Sequence, residues 1–184
     1  DHSRVLRLAF GGTEDTKIKR FAADCNGRTA DWAEVNSRAE LDQAIAAIGL
    51  PAILKTTRFG YDGKGQARIL KATDADAAWT ALAEAGTLIL EKMVRFAHEF
   101  SLLVARDQNG NIAFWDTPEN VHKDGILATS RVPADAKVLE QVPAARAFAR
   151  RMAERLDYVG VFAIEFFASD DGPVFNEMAP RVHN

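Results

Sequence analysis

Val161-Phe162-Ala163-Ile164-Glu165-Phe166-Phe167-Ala168, then Ser169-Asp170-Asp171-Gly172-Pro173, then Val174-Phe175-Asn176-Glu177-Met178: this closing stretch decides how the chain folds. Two apolar runs around a polar turn read as a β-hairpin. A three-residue loop with glycine last favours a type I turn followed by a left-handed residue. That register sets Ser169 opposite Pro173, and therefore Glu165 opposite Glu177. Directly opposed side chains on one face have Cβ atoms about 4.5–5.5 Å apart. An unpaired buried charge in such a strand is prohibitively costly. Glu165 is therefore protonated, met by an arginine or lysine, or met by a metal. Two oxygen ligands suit magnesium, which takes one or two carboxylates together with substrate phosphates. The plain alternative is a pair of surface glutamates on an edge hairpin; the aromatic flanks favour the metal.

Upstream lies Arg58-Phe59-Gly60-Tyr61-Asp62-Gly63-Lys64-Gly65-Gln66. Glycines at 60, 63 and 65 let backbone N–H groups approach an anion, and such concavities bind phosphate. It is not a Walker A loop, because no Ser or Thr follows Lys64 and the next segment reads as a strand. A glycine-rich flap between strands is how kinases cover nucleotide phosphates, with a strand lysine reaching them. Lys55, ending the apolar run Ala52-Ile53-Leu54, is placed to do the same. The bland reading, an ordinary turn, is harder to hold beside that lysine and the downstream carboxylates. Leu90-Glu91-Lys92-Met93-Val94 runs from a strand into a connector, where backbone groups can meet a purine edge, and Glu99 can accept from ribose hydroxyls. On spacing alone these are ordinary connector residues.

Around these sites the chain alternates between elements. The spacing predicts a helix from about Glu14 to Cys25, with Ile18, Phe21, Ala22 and Cys25 on one face. Ser37 and Glu40 form a capping box for a helix that buries Leu41, Ala44, Ile45 and Ile48. Gly49-Leu50-Pro51 ends that helix, and Thr73 is expected to cap a third, carrying Trp79 and Leu82. Asn109-Gly110 marks a hairpin leading into Ile112–Trp115. Residues 117–134 read as irregular, and 143–156 as a helix with Ala145, Ala149, Met152 and Leu156 on one face. Without a regular βαβ rhythm the expected class is α+β, with two lobes, 1–95 and 96–184.

Composition narrows the classes. With 23 basic and 26 acidic side chains the net charge is −3, which argues against a general nucleic-acid binder. The single cysteine, Cys25, cannot form an internal disulfide, so a reducing cytoplasm is expected. No apolar run approaches the roughly 18–20 residues of a membrane span. The chain starts at Asp1 and stops at Val182-His183-Asn184 without a turn or tail signal, and reads as a piece of something longer.

Pro51-Ala-Ile-Leu-Lys-Thr56, Phe59-Gly-Tyr-Asp-Gly-Lys-Gly-Gln66, Glu119-Asn-Val-His-Lys-Asp-Gly-Ile126 and Asn176-Glu-Met-Ala-Pro-Arg181 with His183-Asn184 resemble the ATP-grasp core of the 5-(carboxyamino)imidazole ribonucleotide synthetases. The resemblance covers residue 28 to the end. It implies an ATP-grasp fold, two lobes each with a mainly antiparallel sheet, cut from a three-domain enzyme whose flanking domains are absent. It also implies ATP and magnesium as cofactors, with aminoimidazole ribonucleotide and bicarbonate as substrates. By that resemblance Lys55, Gly60 to Gln66 (Gly60, Tyr61, Asp62, Gly63, Lys64, Gly65, Gln66), Glu91, Lys92, Met93, Val94, Glu99 and His122 are nucleotide-site residues. Glu165 and Glu177 are the implied metal ligands, with Asn176 beside them, although strand alternation turns Asn176 to the other face. Tyr61 and Asp62 are candidates for the aminoimidazole, and Arg181 and His183 for the bicarbonate pocket. His2 and His98 match nothing and are expected at the surface. Where the family has Gln-Asp-Arg, this chain has Thr13-Glu14-Asp15, so no arginine is assigned. The family implies a cytoplasmic homodimer. The competing readings are another ATP-grasp carboxylase or ligase, and a non-catalytic nucleotide-binding module.

Overall fold

The computed structural model describes residues 15–57, 65–123 and 126–182. Gly60, Tyr61, Asp62, Gly63, Lys64, His183 and His2 lie outside the described residues. The chain divides into two compact units. One contains Ala30–Val94; the other joins Lys17–Thr29 to the chain from Arg95 onward.

The first unit is a four-stranded antiparallel sheet. Its strands β1 (Trp32–Val35), β2 (Ala52–Thr56), β3 (Gln66–Ile69) and β4 (Leu88–Lys92) lie in the order β1-β4-β2-β3. Helices α2 (Arg38–Ile48) and α3 (Ala75–Leu82) pack on it, burying Leu41, Ala44, Ala75 and Ala78 against Val35, Leu54, Ile69, Leu88 and Leu90. Ser37 Oγ accepts from the Glu40 N–H, which starts α2. The Glu40 carboxylate closes back on the N–H of Asn36, one residue earlier than a capping box requires. Gly49, at φ +78°, supplies the left-handed turn that stops the helix. Thr73 does not cap α3. It sits in a 3-10 turn, Ala72–Asp74, whose last residue turns its carboxylate back onto the N–H groups of Leu70 and Lys71.

The second unit is a six-stranded antiparallel sheet. It comprises β5 (His98–Arg106), β6 (Ile112–Phe114), β7 (Glu119–Lys123), β8 (Ile126–Arg131), β9 (Gly160–Ser169) and β10 (Gly172–Ala179), with path β10-β9-β5-β7-β8 and β6 on β5. After the short helix α4 (Ala136–Leu139), α5 (Val142–Arg155) covers one face. Alternation along β5 and β9 sends Phe100, Leu102 and Val104, opposite Phe166, Ile164 and Phe162, into the core. Phe148 of α5 meets Phe166 and Phe175 edge-on. Helix α1 (Asp15–Asp24) contributes Ile18 and Ala22, with Cys25 just beyond its end, to this same core. That is why Lys17–Thr29 belongs with the later unit rather than with a lobe spanning 1–95.

Residues 117–134, expected to be irregular, form β7 and β8 instead. Most of the side chains of β8 are exposed, so no apolar alternation advertises it. The closing hairpin also differs at its turn. Ser169 pairs with Gly172, not Pro173, and Phe175 with Phe166; a bulge then shifts the register, so that Glu177 still faces Glu165. The bulge inserts Asn176, and the strict alternation that would turn it away from Glu177 does not hold there.

Candidate active site

In the second unit the sheet face turned away from α5 gathers most of the sequence-predicted acids. Glu165 on β9 is the direct partner of Glu177 on β10 and of Ser101 on β5. Glu165 is half-buried and Glu177 exposed. Two residues along β5, Glu99 Oε2 lies 2.6 Å from His122 Nδ1 of β7. Burial pushes the Glu99 carboxyl above its ordinary value; His122 opposes that rise and the charge of Glu165 adds to it. Phe167, opposite Glu99, stacks on Phe96 with ring centroids 4.5 Å apart. The charge of Glu165 thus reaches Glu99, and Glu177 stands opposite Glu165 on the neighbouring strand. Among the described residues no group of three or more His, Cys, Asp or Glu side chains is arranged to hold a metal. Two opposed carboxylates with ligand oxygens completing the shell are what magnesium takes, and Glu165 with Glu177 fits that donor set.

Residues that sequence reasoning missed stand between these acids. Asn120 Nδ2 donates to Ser101 Oγ at 3.0 Å, and Ser130 Oγ donates to Asn120 Oδ1 at 2.7 Å. Ser101 and Asn120 are each 6% exposed and Ser130 is exposed, so this chain of bonds runs from a buried pair on β5 and β7 out to the surface on β8, beside Glu165. The asparagine within Glu119-Asn-Val-His was the available signal. Arg181 is exposed past β10, and its guanidinium donates to the neighbouring Val182 carbonyl.

In the first unit Lys55 Nζ lies 3.0 Å from Glu91 Oε2. Glu91 follows Ile53 in register, one diagonal from Lys55 on the same face of β2 and β4. Gly65, at φ +74°, closes the base of the glycine loop: its carbonyl accepts from Thr56 N–H, and a Cβ there would stand 2.7 Å from Thr56 Oγ1. Gln66 is exposed opposite Lys55. Of the connector residues, Lys92 spends its ammonium on the Leu50 carbonyl, and the Met93 N–H donates to Pro51. His98, expected at the surface, is half-buried with Nδ1 2.7 Å from Glu119.

Residues 20–184, which carry both antiparallel sheets, match the model of the ATP-grasp domain. The chain belongs to the ATP-grasp family. It is 48% identical over 169 residues to the N5-carboxyaminoimidazole ribonucleotide synthase of Brucella melitensis, covering 90% of this chain and 46% of that protein. It is 42% identical to the enzyme of the same name from Bacillus subtilis, covering 97% of this chain and 46% of the other. Among solved structures, the Staphylococcus aureus N5-carboxyaminoimidazole synthetase complexed with ADP superposes with a TM-score of 0.87 at 30% identity, over 94% of this chain and 45% of that one. The Aspergillus clavatus enzyme in complex with ADP and 5-aminoimidazole ribonucleotide gives 0.81 at 25%, again over 94% and 45%. This ATP-grasp chain therefore spans about half the length of the relatives it matches. A biotin carboxylase from Campylobacter jejuni, at 20% identity and a TM-score of 0.83, shares the fold.

Proposed function

We propose that this chain is the ATP-binding core of an enzyme that carboxylates aminoimidazole ribonucleotide with bicarbonate, giving 5-(carboxyamino)imidazole ribonucleotide for purine synthesis. The observation that carries the reading is the pairing of Glu165 with Glu177 on the face that also holds Glu99 and His122. The names of the relatives supply the substrate.

In this reading the ribose hydroxyls of ATP donate to Glu99, which His122 orients. Lys55 and the backbone N–H groups of the loop from Gly60 to Gln66 hold the phosphates, and Tyr61 and Asp62 contact the aminoimidazole. The connector from Glu91 to Val94 offers its backbone to the adenine. Glu165 and Glu177, with Asn176 beside them, would hold magnesium, which neutralises phosphate charge when bound. A bicarbonate oxygen attacks the γ-phosphorus, the bond to the bridging oxygen breaks, and ADP leaves with that electron pair. The exocyclic amine of the ribonucleotide then attacks the carboxyl carbon of carboxyphosphate. It loses a proton as inorganic phosphate departs. Arg181 and His183 are the residues proposed for the bicarbonate. The chain's own contribution is positioning and preorganised charge, the main source of catalysis in phosphoryl transfer. The glycine loop as a closing cover would protect carboxyphosphate from water.

The test uses the full-length protein: ADP release with ATP, magnesium and bicarbonate, followed by aminoimidazole ribonucleotide, glycinamide ribonucleotide or biotin in turn. Stimulation by the first alone supports the reading. Stimulation by either of the others assigns a different ATP-grasp carboxylase or ligase. No nucleotide-dependent activity in any mixture assigns a binding module. Cytoplasmic location and a homodimer complete the proposal. Among the described residues no helix is long and apolar enough to cross a membrane.

A further inference from the structure

Two histidine–glutamate pairs clamp strands β5 and β7 from opposite sides. On the face of the paired acids, Glu99 of β5 meets His122 of β7 at 2.6 Å. On the face toward α5 the neighbouring residues pair with the roles exchanged, there through a hydrogen bond. His98 of β5 stands with Nδ1 2.7 Å from Oε1 of Glu119 on β7. The second oxygen of Glu119 accepts from Arg131 Nη2 at 2.6 Å and from the Asp135 N–H at 3.0 Å. One carboxylate therefore ties together β5, β7, the end of β8 and the residue that caps α4. Arg131 and then His98 hold that carboxyl down to about 2, so it is ionised at neutral pH and His98 Nδ1 is the donor.

The backbone gives this region little of its own. Pairing between β5 and β7 is confined to Glu99 with Asn120 and Phe100 with Glu119, whereas β5 pairs with β9 from His98 to Arg106. A one-residue slip of β7 would carry His122 to the opposite face, because side chains alternate. The Ser101–Asn120 bond and the Ser101 N–H to the Pro118 carbonyl resist that slip on one side, and the side-chain bonds of Glu119, whose side chain is 12% exposed, resist it on the other.

We propose that Glu119, with His98, is a positioning pair: acting through the β5–β7 register, it holds Glu99 and His122 where the nucleotide ribose is bound. It rests on the reading of the Glu99–His122 face as part of the ATP site. Glu119 itself touches neither substrate nor the reacting atoms.

The experiment is a double-mutant cycle in the full-length protein between the rear face (Glu119→Gln) and the front face (His122→Ala). Calorimetry reads the affinity for ATP with magnesium, steady-state kinetics read KM and kcat, and thermal unfolding runs beside them. Glu119→Gln is expected to weaken ATP binding and raise its KM about tenfold, a coupling typical of residues in one network. The KM for aminoimidazole ribonucleotide and the kcat at saturating ATP should stay within about twofold, since the loss is confined to one contact region. In the His122→Ala background the same substitution should cost less than about twofold, because the residue being positioned is gone. If Glu119→Gln does not fold, His98→Gln enters the cycle in its place. Unchanged ATP affinity in the rear-face variant overturns the proposal, as does a loss that persists undiminished without His122. A wild-type protein that binds no ATP overturns the ATP-site reading and this proposal with it. Binding by wild type with an additive cycle overturns the proposal alone.

Discussion

Replacing Lys55 by methionine removes a cation from beside a carboxylate that folding has already withdrawn from water. Glu91 is 5% exposed and meets Lys55 Nζ at 3.0 Å. Two unit charges at that separation attract by about 5 kcal/mol at an effective dielectric near 20, most of it offset by desolvation. What truncation reads is the stranded charge, about 3–5 kcal/mol for a fully buried pair. Here the Lys55 side chain keeps 24% exposure and Glu91 has a partner beyond Lys55. The expected cost of Lys55→Met is therefore below that range, about 2–3 kcal/mol. The reverse change is cheaper. Glu91→Gln leaves an ammonium on a flexible stem that can reach water, and should cost about 1 kcal/mol. The double variant should cost about 1–2 kcal/mol less than the sum of the two. Urea unfolding followed by tryptophan fluorescence measures all three, since Trp32 and Trp79 both lie in this unit. Equal costs for the two single variants, or an additive double, would refute the idea that β2 and β4 share a charge pair in a low dielectric.

Three further outcomes follow from named contacts. Glu177→Gln in the complete enzyme should lower carboxylation at least about a hundredfold by removing a charge from the phosphate site; normal turnover would sink the metal-ligand assignment. Glu119 has a folded-state value depressed from 4.5 to about 2, chiefly by Arg131. Its stabilisation is therefore complete above pH 4.5 and is lost as pH falls from there toward 2. Urea midpoints taken across that window should fall more steeply for wild type than for Glu119→Gln, and identical slopes would count against the contact. Gly27→Ala drives a Cβ into the Phe148 ring and to 2.9 Å from the Ala22 carbonyl oxygen. It should cost about 1–3 kcal/mol in the same unfolding assay as overpacking of a tight site, and a neutral substitution would show that Phe148 is free to move.

The elements that declare themselves in the sequence are those whose alternation or helical stripe meets one core. Leu41 and Ala44 on α2, and Ala145, Ala149 and Met152 on α5, are buried in the faces the spacing predicts. The acids of the candidate site were legible as residues but not as a network. Lys55 and Glu91 lie on strands separated by more than thirty residues of chain, and nothing local to either shows that they meet. Strands β7 and β8 escape a hydrophobicity reading for a physical reason. The buried side chain of β7 is the polar Asn120, bonded to Ser101 and to Ser130, and the side chains of β8 are mostly exposed, so neither strand shows an apolar alternation. Helix α1 was visible as a helix, but only tertiary packing shows that Ile18, Ala22 and Cys25 enter the core of the later unit.

The closing hairpin shows where local turn chemistry yields to packing. Phe175 and Glu177 are two residues apart, so strict alternation puts both on one face, yet one belongs in the core and the other at the site. The three-residue turn expected from Asp170-Asp171-Gly172 gives Glu177 its place opposite Glu165, but it sets Phe175 opposite Phe167, outside the core. Pairing Ser169 with Gly172 instead brings Phe175 opposite Phe166. There it is 1% exposed and meets the Phe148 ring edge-on at 5.7 Å. Burying a phenylalanine is worth about 2–3 kcal/mol, which outweighs the bond lost to a bulge. Without that bulge Glu177 would then fall opposite Ile164, in the core, as an uncompensated buried charge. Inserting Asn176 resolves the conflict: Glu177 returns to Glu165, and Met178 takes the core position opposite Ile164. The signal lay in the spacing, since Phe175 and Met178, the two residues of this strand that join the core shared with α5, stand three apart in a strand whose period is two. A core spacing of three inside a strand, with a carboxylate between, marks a bulge that sends a charged side chain to the working face of the sheet.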